Sequence, residues 1–359
     1  MPSLLDLPRD VRDDVLSYAL RMKLDPPASP VEFSQASREF LSDIYLDNGW
    51  RCRFRFEHQA KFRTFVALQL VNWQLYDEVR EVMRRQFTHP PDYDLDIMYL
   101  TDGSMWTTWT RLPFVAHHVN TLRITFRLFR CPGWLGATLR NSHTTLFGDF
   151  QNRPPSFLCI FYLLLHTFLT RGPFPASFRR YHGVLFPGML IDKIVISIKR
   201  PTESGILPLE HLLSLEESRM FTRLSTYPPH VFFGPSVHSG NEGVVAHTLL
   251  VLYMVFGLRI LTGLDYRYEE LGRPFYERVG VFEIRSRGRT LKYFNLAEFA
   301  TRIATSEPLE DSDLRDYARW VASTANMRRQ VGLPVAPLPS RLRQLLMGES
   351  VNPDYFWQV

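Results

Sequence analysis

The stretch Asp92-Tyr93-Asp94-Leu95-Asp96-Ile97-Met98-Tyr99-Leu100 decides the fold. Tyr93, Leu95, Ile97 and Tyr99 alternate with Asp92, Asp94, Asp96 and Met98. Successive side chains of a strand point to opposite faces, so these two sets separate. The pattern predicts a half-buried strand, with its aromatic and aliphatic side chains inward and its aspartates in water. Downstream, residues 119–128 (VNTLRITFRL) read as a second strand, and residues 157–169, after Pro154-Pro155, read as an apolar helix. KIVISIK (193–199) is a third strand, and residues 244–261 form a long apolar helix. Two β-rich runs, 279–284 and 290–294, flank Ser286-Arg287-Gly288-Arg289, which predicts a hairpin. Strand, helix, strand, helix, strand is the order that builds βα units and a partly parallel sheet.

Upstream the period changes from two to 3.6. In residues 6–21, Leu7, Val11, Val15, Tyr18 and Ala19 recur at helical spacing, with Arg9, Arg12, Asp13 and Ser17 on the other side. Pro8 suits the first turn, where its missing N–H costs nothing, and Asp6 and Asp10 lie near the positive end of the helix. Asp25-Pro26-Pro27 ends the segment. In residues 64–86, Leu68, Val71, Leu75, Val79, Val82 and Met83 make a stripe, and Asp77, Glu78, Arg80, Glu81, Arg84 and Arg85 form a solvated side. Between the two helices, residues 51–56 alternate basic and apolar groups, as a short strand or an extended arm. A C-terminal helix begins near Ser312 with Leu314, Tyr317, Ala318, Val321 and Ala325 inward. A connector with three prolines follows over residues 331–339, then a short helix over 342–347. The tail NPDYFWQV is expected to tuck back and cover its aromatic rings. The expectation is an α+β protein: N-terminal helices over 1–90, packed on a body over 91–359 with a mixed, partly parallel sheet and buried helices.

Composition limits the function classes. Of 359 residues, 45% are hydrophobic, 14% aromatic and 22% charged, enough apolar area for a large core. The net charge of +5 is modest for this length and does not call for nucleic acid or an anionic membrane. Cys52, Cys131 and Cys159 are few and widely spaced, which argues against a disulfide framework or a cysteine-built zinc site. Asp6, Asp10, Asp13 and Asp14 stand where a secretory leader needs apolar residues. The apolar run 157–169 is too short to span a bilayer, and run 244–261 is interrupted by His247, Gly257 and Arg259. Both read as buried core helices, and a cytoplasmic or nuclear location is expected.

No P-loop, GxGxxG, HExxH or GxSxG motif occurs in the chain. Asp92, Asp94 and Asp96 imitate the first ligands of a calcium loop, but Ile97 and Gly103 stand where such a loop needs glycine and glutamate. His117 and His118 are adjacent at a strand start and point to opposite faces, a poor arrangement for chelation. The cluster Arg51, Arg53, Arg55, Lys61 and Arg63, interleaved with Phe54 and Phe56, fits a solvated face or protein contact better than nucleic acid. No catalytic residue, metal or cofactor is indicated, and the chain is expected not to be an enzyme.

Two segments carry a family resemblance. LDLPRDVRDDVLSY (5–18) resembles the first helix of the F-box, an LP pair followed by spaced aliphatics. LVNWQLYDEV (70–79) is similar to the LxxVNRQxYxE helix of a large group of F-box-like proteins from filamentous fungi, with Trp73 in place of the usual arginine. DYDLDIMYL, WTTWTRLP and VNTLRITFRLF resemble the body of those proteins, so the likeness spans most of residues 4–170. The resemblance implies that the N-terminal helices dock on the Skp-type adaptor of a cullin–RING ubiquitin ligase while the rest of the chain selects a protein substrate. Carried over by position, it implies adaptor contacts through Leu7, Pro8, Val11, Val15 and Leu16. The alternative is a non-enzymatic interaction protein whose F-box-like helices only pack internally; it requires Val11 and Val15 to be buried in the chain's own core.

Overall fold

A computed structural model describes residues 4–29, 38–40, 54–57, 72–86, 88–100, 105–129, 156–173, 188–199, 254–255, 258, 269–286, 288–306 and 311–347. Among these, the strands are β1 (Arg38–Phe40), β2 (Phe54–Glu57), β3 (Asp92–Leu100), β4 (Met105–Arg111), β5 (His118–Phe129), β6 (Leu190–Ile198), β7 (Val279–Ser286) and β8 (Arg289–Asn295). The helices are α1 (Arg9–Arg21), α2 (Trp73–Gln86), α3 (Ser156–Arg171), α4 (Glu269–Arg278), α5 (Leu296–Ser306), α6 (Asp311–Gln330) and α7 (Ser340–Met347). The fold is α+β with a mixed sheet in the order β1-β2-β4-β3-β5-β6-β7-β8. Six strands of seven or more residues make its body, and short β1 and β2 extend one edge. Strands β3, β5, β6 and β7 run parallel, as the alternating order of strands and helices predicts, while β4 pairs antiparallel with β3 and parallel with β2, and β8 pairs antiparallel with β7. The β7–β8 hairpin turns through Gly288 at φ +76°, a left-handed position that glycine occupies without a Cβ clash. Strands β1 and β2 arise within the helical region expected over 1–90 yet join the sheet of the body expected over 91–359.

One sheet face carries the core. Tyr93, Leu95, Ile97 and Tyr99 of β3 lie there with Leu122, Ile124 and Phe126 of β5, and with Phe161, Phe168, Tyr276, Tyr317 and Trp320 from the helices. The rings interlock: Trp109 lies 5.2 Å from Phe168, Phe126 5.2 Å from Phe161, and Tyr162 stacks on Phe275 at 4.7 Å. Run 157–169 falls inside α3 and, as expected, is buried from Phe161 onward apart from the half-buried His166. Met254, Val255 and Leu258 join the same core, while the rest of run 244–261 lies outside the described residues, as do the tail and the side chains of the 51–63 basic cluster.

The opposite face of β3 corrects an expectation. Its aspartates are not in water: Asp94 and Asp96 are buried. Parallel pairing sets Asp94 beside Arg123 and Asp96 beside Thr125, so Arg123 and Arg127 of β5 share a face with the acids. Arg127 grips Asp96 with two nitrogens, at 2.8 and 2.6 Å, and Arg123 meets Asp92 at 2.7 Å. Partial burial pushes the Asp92 carboxyl up, but hydrogen bonds from Arg123 and Asn120 outweigh it and leave the group below its ordinary range. The chain leaving α1 crosses this face as a strap. Lys23 pairs with Asp94 at 2.8 Å, Leu24 N–H donates to the Thr110 carbonyl at 2.8 Å, and Arg127 donates to the Pro27 carbonyl at 2.8 Å. These bonds fasten the end of α1 to the sheet.

Candidate docking surface

Helix α1 follows Pro8, whose φ of −53° already suits a helix start, and is preceded by a short 3₁₀ turn at Leu4–Asp6. Its inner face is Arg12, Leu16 and Leu20, spaced by four and buried. Leu16 and Leu20 form a small separate core with Val79 and Val82 of α2, with Met83 packed alongside.

The sequence-based face is therefore rotated. The sequence pattern set Arg12 opposite Val11 and Val15 and grouped it with Arg9, Asp13 and Ser17; the structure buries Arg12, while Val11 and Val15 are exposed. Arg12 lies inside because α2 presents a buried acid to it. Arg12 Nε donates to Glu78 Oε2 at 2.9 Å and Nη2 to Oε1 at 2.7 Å, a two-point guanidinium–carboxylate pair. Gln74 adds a third hydrogen bond to Glu78 at 3.0 Å. The Arg12 hydrogen bond holds the Glu78 carboxyl below its ordinary range against the opposing effect of burial. Farther along, Arg85 of α2 reaches Asp13 at 2.7 Å, and Arg9 reaches the same carboxylate at 2.9 Å. Between the helices lies an open concavity of about 690 Å³ whose lining includes Arg9, Asp13, Gln74, Glu78 and Arg85. These groups are already bonded to one another.

With Arg12, Leu16 and Leu20 inward, the other side of α1 faces out. Val11 is 41% exposed, Val15 43%, Tyr18 75% and Met22 43%. Offsets of four and three residues put Val11, Val15 and Tyr18 in one row along α1, and Met22 follows as the residue that caps it. Of the residues expected to meet an adaptor, Val11 and Val15 are on this row, Pro8 is exposed and Leu7 half-buried. Leu16 is the correction: it is fully buried against α2 and turns away from any partner on the outer row. Tyr18 and Met22 extend the row one turn and two turns beyond Val15; continuing the helical spacing past Val15 points to both. Trp73, at the start of α2, is 82% exposed and meets Tyr76 edge-on at 6.0 Å.

The other candidate sites resolve as structure. His118 is joined to Asp192 at 2.8 Å, linking β5 to β6. Among the described residues there is no cluster of three or more side chains able to hold a metal ion. No described helix is long and apolar enough to cross a membrane. No protein-family model, curated protein or solved structure matches this chain.

Proposed function

We propose that this chain is an F-box-type substrate receptor of a cullin–RING ubiquitin ligase, acting by binding and not by chemistry. The observation that carries the reading is the outward row Val11, Val15 and Tyr18, followed by Met22, on a helix whose opposite face is already occupied. A row of large apolar side chains in water is costly for a monomer and suits a helix that lays itself into a partner's groove. The partner is a Skp-type adaptor, met through Leu7, Pro8, Val11 and Val15, with Tyr18 and Met22 extending the contact. The strap from Lys23 to Pro27 ties this helix to the sheet, so a protein substrate held by the body is carried at a defined position. No cofactor takes part, and the complex works in the cytoplasm or nucleus.

The alternative, in which the F-box-like helices only pack internally, requires Val11 and Val15 to be buried, and their exposure speaks against it. The test is co-purification with a C-terminally tagged bait. Wild type is expected to recover a Skp adaptor and a cullin, and the Val11→Asp, Val15→Asp double variant neither. Equal recovery by the two baits would refute the proposal.

A further inference from the structure

We infer that Arg12 is a positioning residue, which fastens the segment ahead of α1 to α2 and so completes the docking surface. The inference rests on the adaptor reading above. One guanidinium joins three pieces of chain. Its Nε and Nη2 hold Glu78 on α2, and its Nη1 donates to the carbonyls of Leu5 at 3.1 Å and Leu7 at 2.5 Å. Residues 4–8 lie outside α1; Leu7 N–H donates to the Leu4 carbonyl at 3.3 Å, and the Pro8 carbonyl accepts from the Arg12 backbone N–H at 3.0 Å. The Arg12 guanidinium adds two donors that tie the Leu5 and Leu7 carbonyls to the helix pair. The segment contains Leu7 and Pro8, two of the six residues assigned to the adaptor contact.

The choice of an ion pair has a physical reason. Replacing a buried pair by apolar side chains of similar volume is often neutral for stability, so stability alone does not demand Arg12 and Glu78. An apolar pair cannot donate to two carbonyls. Lysine keeps the charge but not the planar fork, so it cannot hold Glu78 at two points while serving Leu5 and Leu7. The function left to Arg12 is order: it preorganises a surface that binding would otherwise have to assemble.

The test uses the full chain, purified Skp adaptor as probe, and three variants: Arg12→Lys, the Arg12→Met, Glu78→Met double variant, and the Val11→Asp, Val15→Asp double variant. Hydrogen exchange reads the amides of residues 4–7, titration reads the adaptor affinity, and urea unfolding reads global stability. With the Leu5 and Leu7 carbonyls released, Arg12→Lys and the methionine pair are expected to exchange faster at Leu7, whose N–H bonds the Leu4 carbonyl. They are expected to bind adaptor about tenfold more weakly or worse, since binding must then order two or three more residues. Their urea midpoints stay near wild type. The aspartate pair should abolish binding and leave the exchange at residues 4–7 unchanged. Unchanged exchange in Arg12→Lys overturns the inference, as does faster exchange with undiminished affinity; the lysine variant decides the matter if the methionine pair fails to fold. A wild-type chain that binds no adaptor overturns the proposed function instead, and faster exchange in Arg12→Lys would then still uphold the fastening.

Discussion

Truncating two adjacent residues of α1, Leu16→Ala and Val15→Ala, should give very different results, because a single step along a helix turns the side chain by about 100°. Leu16 has no exposed surface and, among the described residues, is buried in a cluster with Leu20, Val79 and Val82. Removing its three outer carbons forfeits about 0.8 kcal/mol for each, and the cavity left behind raises the cost to about 3 kcal/mol. Val15 is 43% exposed, so its truncation should cost less than about 1 kcal/mol. The small cluster opens as a local unit, which makes amide exchange the right assay. A loss of about 3 kcal/mol accelerates exchange of the protected α1 amides by about a hundredfold, and a loss below about 1 kcal/mol by less than about sixfold. If Val15→Ala accelerates exchange as much as Leu16→Ala does, α1 is rotated from the orientation described and its outward row does not exist.

Two further outcomes follow from the sheet. Glu283 is held by Lys193, Arg285 and Thr290, and although burial pushes its carboxyl up, those donors win and bring it from 4.5 to about 2. A carboxyl lowered in the folded state contributes stability that is complete above its unfolded value and disappears as pH falls through its folded value. Thermal midpoints should therefore drop between about pH 4.5 and pH 2 in wild type and more gently in Glu283→Gln; parallel profiles would refute the assignment. A Cβ at Gly188 would lie 1.9 Å from the Leu169 carbonyl oxygen, so Gly188→Ala must move α3 against β6. It should lower stability by about 1–3 kcal/mol in urea unfolding, and a neutral result would contradict that packing.

The parts of the fold legible in the sequence are those set by local pattern. The alternation in 92–100 places Tyr93 and Leu95 in the core, and Gly288 marks its hairpin. Strand β4, MWTTWTR, escaped because six of its seven residues are buried, on both faces, so no polar alternation announces it. Helix α4 contains Pro274, which reads as a breaker. The larger misreadings share one cause: a charged side chain reads as solvated unless its partner is visible. Asp96 meets Arg127 31 residues later, and Arg12 meets Glu78 66 residues later. Burying Arg12 with Leu16 and Leu20 leaves Val11 and Val15 on the exposed side of α1. The resemblance singled out α1, but only the Arg12–Glu78 pair fixes which side of it is free, and Leu16 lies on the buried side.

The most direct measurement of the central claim is photo-cross-linking at single positions in the full chain. A photoreactive phenylalanine analogue replaces Tyr18, on the outer row of α1, or Tyr293, a 54%-exposed aromatic on β8 that serves as the control. Irradiated with purified Skp adaptor, position 18 should cross-link to it and position 293 should not. Failure at position 18, or equal cross-linking at both positions, would contradict the account that α1 is the adaptor-docking helix.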